Sequence, residues 1–471
     1  MQTPILHPEE ARYQQARAAF QQDPYDFDTV LQAMRCYGNV CDWTVLQHQR
    51  EVMLTAIDQG AYVLGETFLS NGGFSPAVLR TCAERHHHAV RAAAMASGRL
   101  PPLPLPAPLA GRPLRVGWLG HSFHQQATTY LLIGVLEALA RLPGQVEQRL
   151  YDHGPADDSE LRQRLLASGI PLLPVHHLDD AALARQVRAD GIDVLINLAP
   201  PATGRYGVFT LRAAPLQCVY LYYPGTSGCT DADCFIVDPV VAPPELAHLF
   251  TEPLAYLPRC YQPNDPQRPR PRALPRAALG LPDDAFLFAN FNQSYKITRE
   301  QFARWMHILR QCPGARLCLL DGSPSLRFHL QSQARLHGVA PERLLLQPPL
   351  APQAHFERLA AMDLLLDTHP YGAHTGASDA LWSGLPVLTL TGPAFASRVA
   401  ASLLLHCGLD DLVTHHEDDF IARAVALAHQ PATLAALRQR LAQPERLPIF
   451  DATGHAHDLL ALLRQRLMSS R

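Results

Sequence analysis

The sequence predicts an α/β chain. A small all-helical region comes first, followed by two doubly wound, Rossmann-like domains facing a cleft. Three observations carry this. Short apolar strand patterns alternate with helical patterns, which implies parallel sheets covered on both faces. The alternation stops at the proline- and arginine-rich stretch QPNDPQRPRPRALPRAALGLP (262–282) and then restarts. Before residue 100 the pattern is helical.

The elements follow in order. PEEARYQQARAAFQQDP places Tyr13, Ala16 and Phe20 at helical spacing and ends at Pro24. It resembles the second helix of a tetratricopeptide repeat, but one copy cannot stack into a solenoid. Residues 39–96 continue as helices with a break at Gly72-Gly73, completing a helical region over 1–100. PPLPLPAPLAGRP (101–113) reads as a linker. The first α/β domain, 111–262, carries strands at LRVGWLG (114–120), IDVLINL (192–198), LQCVYLYY (216–223) and CFIVD (234–238). Helices lie near Thr128–Arg141 and Ala181–Asp190. The second domain, 283–450, carries FLFANF (286–291), RLCLLD (316–321), RLLLQ (343–347), DLLLD (363–367) and PVLTL (386–390). Residues 451–471 form a last helix, near Ala452–Leu467, that packs back on the body.

Composition narrows the function. The 471 residues, 47% of them hydrophobic, suffice for two or three cores. A formal charge of −3 without a basic stripe argues against a nucleic-acid partner. The polar start, MQTPILHPEE, is not a signal-peptide pattern, and the longest apolar run, around Tyr130–Ala140, is too short to span a membrane. Ten scattered cysteines without a C-x-x-C pair suit a reducing, cytoplasmic setting. Of the 40 Lys+Arg residues only Lys296 is lysine. Drift toward arginine explains the composition but not why this lysine remains. A compact ammonium with three donors is not interchangeable with a planar fork.

Polar residues follow the strands of the second domain. FLFANF leads to Asn292-Gln293-Ser294-Tyr295-Lys296. DLLLD leads to Thr368 and then to His374-Thr375-Gly376, where a helix begins, with Asp379 one turn later. RLLLQ leads through Pro348 to His355, with Arg358 one turn on. Loops at the C-terminal ends of strands in one sheet can converge. Cations and helix-start N–H groups suit phosphates, a carboxylate suits ribose hydroxyls and an amide suits a base edge. The plainer reading is a capped helix with solvated loop residues.

NFNQSYKI (290–297), YPGTSG (223–228), LDTHPYGAHTGASDALWSGLPVLTLTG (366–392) and ASRVAASLL (396–404) resemble the catalytic region of the O-GlcNAc transferase and SPINDLY-like family, glycosyltransferase family 41. NVCDW (39–43) and CAERHHHAV (82–90) resemble that family's helical segment before the catalytic part. The resemblance covers about residues 39–465. It implies a GT-B fold, a nucleotide-sugar donor, no metal, and inverting transfer to a protein side chain. By resemblance, Gln293 and Lys296 bind the donor, and Leu350 and Ala351 meet uracil through their backbone. His355 and Arg358 take the base and phosphate sides. His374 and Thr375 bind phosphate at the helix start, and Asp379 binds ribose. Gly376 stands where many members have threonine, keeping the N–H and losing a hydroxyl. A lysine upstream of the base-side histidine is absent from APQAH, which is one residue shorter.

The acceptor side departs more. In GHSFHQQATTY (120–130), Gln126 occupies the position of a family histidine once taken for a base, and glutamine cannot accept a proton usefully. His124, and next His121, are the substitutes. NLAPPATGRYG (197–207) lacks a histidine that bacterial relatives often show. Tyr223, Pro224, Gly225 and Thr226 read as a sugar- or acceptor-side loop, or as a structural turn. Asp231 and Asp233 have D-x-D spacing but sit at the entry to a strand, and His86-His87-His88 point different ways on a helix, so neither is read as a metal site.

The leading expectation is a metal-independent inverting transferase moving GlcNAc or another hexose from a UDP-sugar to Ser/Thr of a protein. Alternatives are GDP-fucose-dependent O-fucosyl transfer, a nucleotide-binding pseudoenzyme or regulatory module, and N-linked glucosyl transfer, against which the His374-Thr375-Gly376 start speaks. A long repeat array selects acceptors in relatives. Its near absence predicts few protein acceptors, or one dedicated partner.

Overall fold

The computed structural model describes residues 7–65, 73–103 and 111–469. Gly72 and residues 104–110 of the expected linker lie outside them. The described chain forms two compact units, each built on one parallel sheet.

The first sheet has β1 (Leu114–Gly120), β2 (Val146–Asp152), β3 (Leu172–Pro174), β4 (Val194–Asn197), β5 (Leu216–Tyr220), β6 (Cys234–Val237) and β7 (Leu254–Tyr256). Their order is β3-β2-β1-β4-β5-β6-β7, all parallel. Strand order reverses between β1 and β4, which pair Val116 with Val194 and Leu119 with Asn197. Ligands bind at such a reversal, outside the strands' C-terminal ends. His121 follows β1 and Leu198 follows β4, so both loops open there. The apolar helix Ala127–Ala140 covers this sheet, and the C-terminal helix Ala452–Ser469 packs on it. Gly134 permits the close approach: a Cβ there would lie 3.1 Å from both Ala452 Cβ and Asp265 Oδ1.

The second sheet has β8 (Leu287–Asn290), β9 (Arg316–Leu320), β10 (Leu344–Gln347), β11 (Leu364–Leu366), β12 (Val387–Leu390) and β13 (Val413–Thr414), ordered β10-β9-β8-β11-β12-β13 and parallel throughout. Its reversal lies between β8 and β11. Helices are started by short polar caps, as at Thr298 and Ser323 here and Ser75, Ser159 and Asp179 in the other unit.

The helices before residue 100 do not form a region of their own, contrary to the expectation from sequence. Pro8–Gln22, Phe27–Asn39 and Leu46–Asp58 belong to the second-sheet unit, whereas Pro76–Ala96 belongs to the first. The cause is burial. Three short helices cannot cover their own apolar faces. Tyr13 packs edge-on against His329 with centroids 5.8 Å apart, Trp43 lies 5.8 Å from Phe302, and the Glu10 carboxylate accepts from Ser325 N and Oγ at 3.0 and 2.7 Å. Among the described residues no single helix is long and apolar enough to cross a membrane.

Candidate functional site

The second-sheet unit stitches three strand-ending loops together. Asn290, closing β8, donates from Nδ2 to Leu366 O (2.7 Å), and its Oδ1 accepts from Asn292 N (3.1 Å). Asn292 Nδ2 donates to Thr368 Oγ1 at 2.9 Å. The loops after β8 and β11 are thereby locked side by side. A 3₁₀ turn, Ser294–Lys296, follows. Ser294 Oγ donates to Asn39 O (2.7 Å), and Cys41 Sγ lies 3.5 Å from Ser294 O, so the NVCDW segment holds this turn.

Lys296 is half-buried. Its Nζ donates to Gly372 O at 2.9 Å and lies 4.0 Å from the centre of the Tyr371 ring. Burial pushes its pKa down to about 8, and the Asp367 charge opposes that fall. Asp367, absent from the sequence-derived set, is 2% exposed. It accepts from Thr368 N (2.8 Å), Ala373 N (2.6 Å) and Thr389 Oγ1 (2.7 Å). Burial raises it to about 6, against those bonds and the ammonium. An acid ending an apolar strand, as in LLLD, is the signal that could have found it.

The helix Thr375–Trp382 starts without a side-chain cap. His374 instead meets Ala396 O through Nε2 at 3.1 Å, so that nitrogen carries the proton. Burial, and then the Lys296 charge, push His374 down to about 3, so it is neutral. The first helical bonds run from Ala377 and Ser378 to His374 O. The N–H groups of Thr375 and Gly376 have no acceptor among the described residues. Two such amides suit an anion, and they stand next to an ammonium. A Cβ on Gly376 would lie 3.5 Å from Asn292 Oδ1, so sterics do not demand glycine. Asp379 lies one turn into the helix and is half-buried.

On the third loop, Leu350 and Ala351 are exposed, and the N–H and C=O of Leu350 have no partner among the described residues. Arg358 Nη1 donates to Pro348 O (2.6 Å), Nη2 donates to His355 Nδ1 (2.8 Å), and the guanidinium lies 4.0 Å over Phe291. A guanidinium only donates, so His355 carries its proton on Nε2. Burial lowers Arg358 to about 10 and His355 to about 4. Gln293 is exposed, with an amide unpartnered among the described residues.

In the first-sheet unit the expected residues divide. His121 Nδ1, His124 Nδ1 and His153 Nε2 are buried without a hydrogen bond. The His121 ring lies 5.7 Å from His153 and 5.1 Å from Tyr222. Burial lowers His121, with His124 adding to the fall, and takes His153 down to about 4. Gln126 caps the helix Ala127–Ala140, its Oε1 accepting from Thr128 N at 2.8 Å, while its Nε2 lies 3.4 Å from the Tyr222 hydroxyl. Tyr223, Pro224 and Thr226 are buried and Gly225 is half-buried. Thr226 Oγ1 donates to Glu252 (2.6 Å), as do Ser227 N (2.8 Å) and Ser227 Oγ. Glu252, 3% exposed, is likewise absent from the sequence-derived set. The Asp231 carboxylate accepts from Arg91 (2.6 Å) and Thr210 (2.8 Å) and meets His87 Nε2 at 3.2 Å. Asp233 accepts from Arg212 (2.9 Å) and Gln217 N (2.7 Å). His86 Nε2 lies 3.1 Å from Pro201 O.

A family model described as "Glycosyl transferase family 41" matches residues 99–272 and 269–459. The chain is 33% identical over 368 residues to a probable UDP-N-acetylglucosamine–peptide N-acetylglucosaminyltransferase SEC of Arabidopsis thaliana, covering 75% of this chain and 37% of that protein. It is 26% identical to the UDP-N-acetylglucosamine–peptide N-acetylglucosaminyltransferase of Caenorhabditis elegans, covering 75% and 41%. The chain thus spans about a third to two fifths of the length of these curated relatives. The solved structure of an O-GlcNAc transferase mutant from Thermobaculum terrenum matches 98% of this chain and 90% of its own, with a TM-score of 0.80 at 28% identity.

Proposed function

Because the chain belongs to glycosyl transferase family 41 and has its two-unit α/β architecture, we propose that it moves a hexose, GlcNAc foremost, from UDP to a serine or threonine of a protein. The carrying observation is the cradle of the second-sheet unit: one ammonium and two unpaired helix-start amides on interlocked loops.

The chemistry follows from charge. As the sugar leaves, its anomeric carbon becomes oxocarbenium-like and negative charge grows on the diphosphate. Lys296 and the N–H groups of Thr375 and Gly376 are already aimed, so they stabilise that charge without reorganising. No metal is needed in this scheme. Asp379 takes the ribose hydroxyls. Leu350 and Ala351 meet the base edge through their backbone, Gln293 through its amide and His355 through its Nε2–H. Arg358 holds His355 and the Pro348 turn, which sets that edge. The acceptor hydroxyl attacks opposite the departing diphosphate and inverts the centre. His124, or His121 beside it, takes the proton on a ring nitrogen. Ten free cysteines fit a reducing compartment.

A thermal-shift panel of UDP, UDP-GlcNAc, UDP-glucose, GDP and GDP-fucose tests this. Ligand at about 100 times its Kd adds roughly 2.7 kcal/mol, a shift of a few degrees. The expected result is a UDP-selective shift that shrinks in Lys296→Ala. A GDP-selective shift replaces the donor with GDP-fucose, and no shift with any of them overturns the reading.

A further inference from the structure

Lys296 is the only ε-amine in the sequence. Acylating reagents that modify lysines therefore have one side-chain amine to find, and it stands in the anion cradle. The surroundings make that amine unusual. Its Nζ is held by one carbonyl, Gly372 O at 2.9 Å, and by the Tyr371 ring face at 4.0 Å. The Asp367 charge acts on it, and its own charge lowers the neighbouring His374. Its lowered pKa leaves a sizeable neutral fraction at ordinary pH, unlike a surface lysine. The amides of Thr375 and Gly376 stand ready for a phosphate. Competing thiols are shielded, since nine of the ten cysteines are buried.

An amine nucleophile beside a phosphate cradle is the arrangement that an acyl phosphate requires. We propose that Lys296 is an acylation site for acyl phosphates, and that its acylation switches the transferase site off. The proposal rests on the diphosphate reading of the cradle. The Nζ lone pair attacks the acyl carbon, the bond from that carbon to the bridging oxygen breaks, and phosphate leaves with the electron pair. Of the two protons that the ammonium gives up, one goes to the phosphate and one to solvent. The product is a neutral amide with no charge to offer a diphosphate. Because arginine replaces lysine everywhere else, no other side-chain amine competes, and peptide mapping separates Lys296 from the α-amino group.

The test incubates the full chain with acetyl phosphate, with and without UDP, followed by intact-mass measurement, peptide mapping and a UDP thermal shift on the product. The expected result is one acetyl group on Lys296 by peptide mapping, strongly suppressed by UDP while any α-amine acetylation is not, with the UDP shift lost after modification. Lys296→Arg, checked for an unchanged ligand-free melting temperature, takes up no acetyl group there. UDP release from UDP-GlcNAc by the acetylated protein falls about 10²-fold. No acetyl group on Lys296, or acetylation that UDP does not slow although UDP shifts the unmodified protein, overturns the proposal and leaves the diphosphate reading standing. Absence of any UDP shift in unmodified protein overturns both.

Discussion

Two buried carboxylates shape two loops, one in each unit. Asp367 gathers Thr368 N, Ala373 N and Thr389 Oγ1; Glu252 gathers Thr226 Oγ1, Ser227 N and Ser227 Oγ. The anchoring is alike, but what it leaves over differs. Around Asp367 the remaining groups are donors: an ammonium and two helix-start amides. In the first-sheet unit the groups left without a partner among the described residues include imidazole nitrogens, on His121, His124 and His153, which follow β1 and β2 and do not touch Glu252, while the D-x-D acids Asp231 and Asp233 are hydrogen-bonded. A buried carboxylate alone does not mark a site. Unpaired groups do, and their chemistry sets what a loop can hold. Donors suit an anion, and ring nitrogens suit a proton.

Substitutions can break that division of labour. His124→Ala should cut protein transfer by about 10²-fold or more, as loss of a general base does, while the UDP shift stays at its wild-type size. A reduced UDP shift would place His124 in donor binding. Unchanged transfer would pass the role to His121. Next come the anchors. Asp367→Ala and Glu252→Ala each strand buried N–H groups, and each should cost about 2–3 kcal/mol in denaturant unfolding. Only Asp367→Ala should also weaken UDP binding. Equal UDP affinity in the two variants would erase the distinction.

The pH dependence sharpens the donor half. Lys296 must be charged to hold a diphosphate, and its pKa lies near 8 in the free protein. Protons leave as pH rises, so kcat/KM for the donor should fall up to tenfold per unit above about 8. Lys296→Arg should flatten that limb even if it lowers the plateau. A wild-type profile level to about pH 10 would return Lys296 to the ordinary lysine range and contradict the lowered pKa. The smallest effect belongs to Gly376→Thr. The position has room for a side chain, so UDP affinity should change only a few-fold, measured by titration calorimetry.

The same contrast explains what the sequence revealed. The proposed donor residues lie in contiguous stretches that end apolar strands, and β1, β8 and β9–β12 fall where the apolar runs stand. LYY beyond β5 does not continue the strand, since Leu221 turns at φ +72°. β2, VEQRLYD, is hidden by its alternating charged residues, and β3, β7 and β13 are only two or three residues long. Asp367 and Glu252 are illegible as anchors in the sequence because their partners are made by the fold: Thr389 is 22 residues away in sequence and Thr226 is 26. The division of the N-terminal helices is illegible too, because the apolar spacing of Tyr13 and Phe20 shows a face to be covered and not which sheet's helices cover it. Gln126 reads in the sequence as a missing base. Its bond to Thr128 N adds a positive reason for glutamine, a helix cap.

If Lys296 stabilises the departing diphosphate as proposed, its loss must show without a protein acceptor, in UDP release from UDP-GlcNAc with water as acceptor under donor saturation. Lys296→Ala should lower that release by about 10²–10³-fold, with the fold intact by circular dichroism. Release within a few-fold of wild type would contradict it.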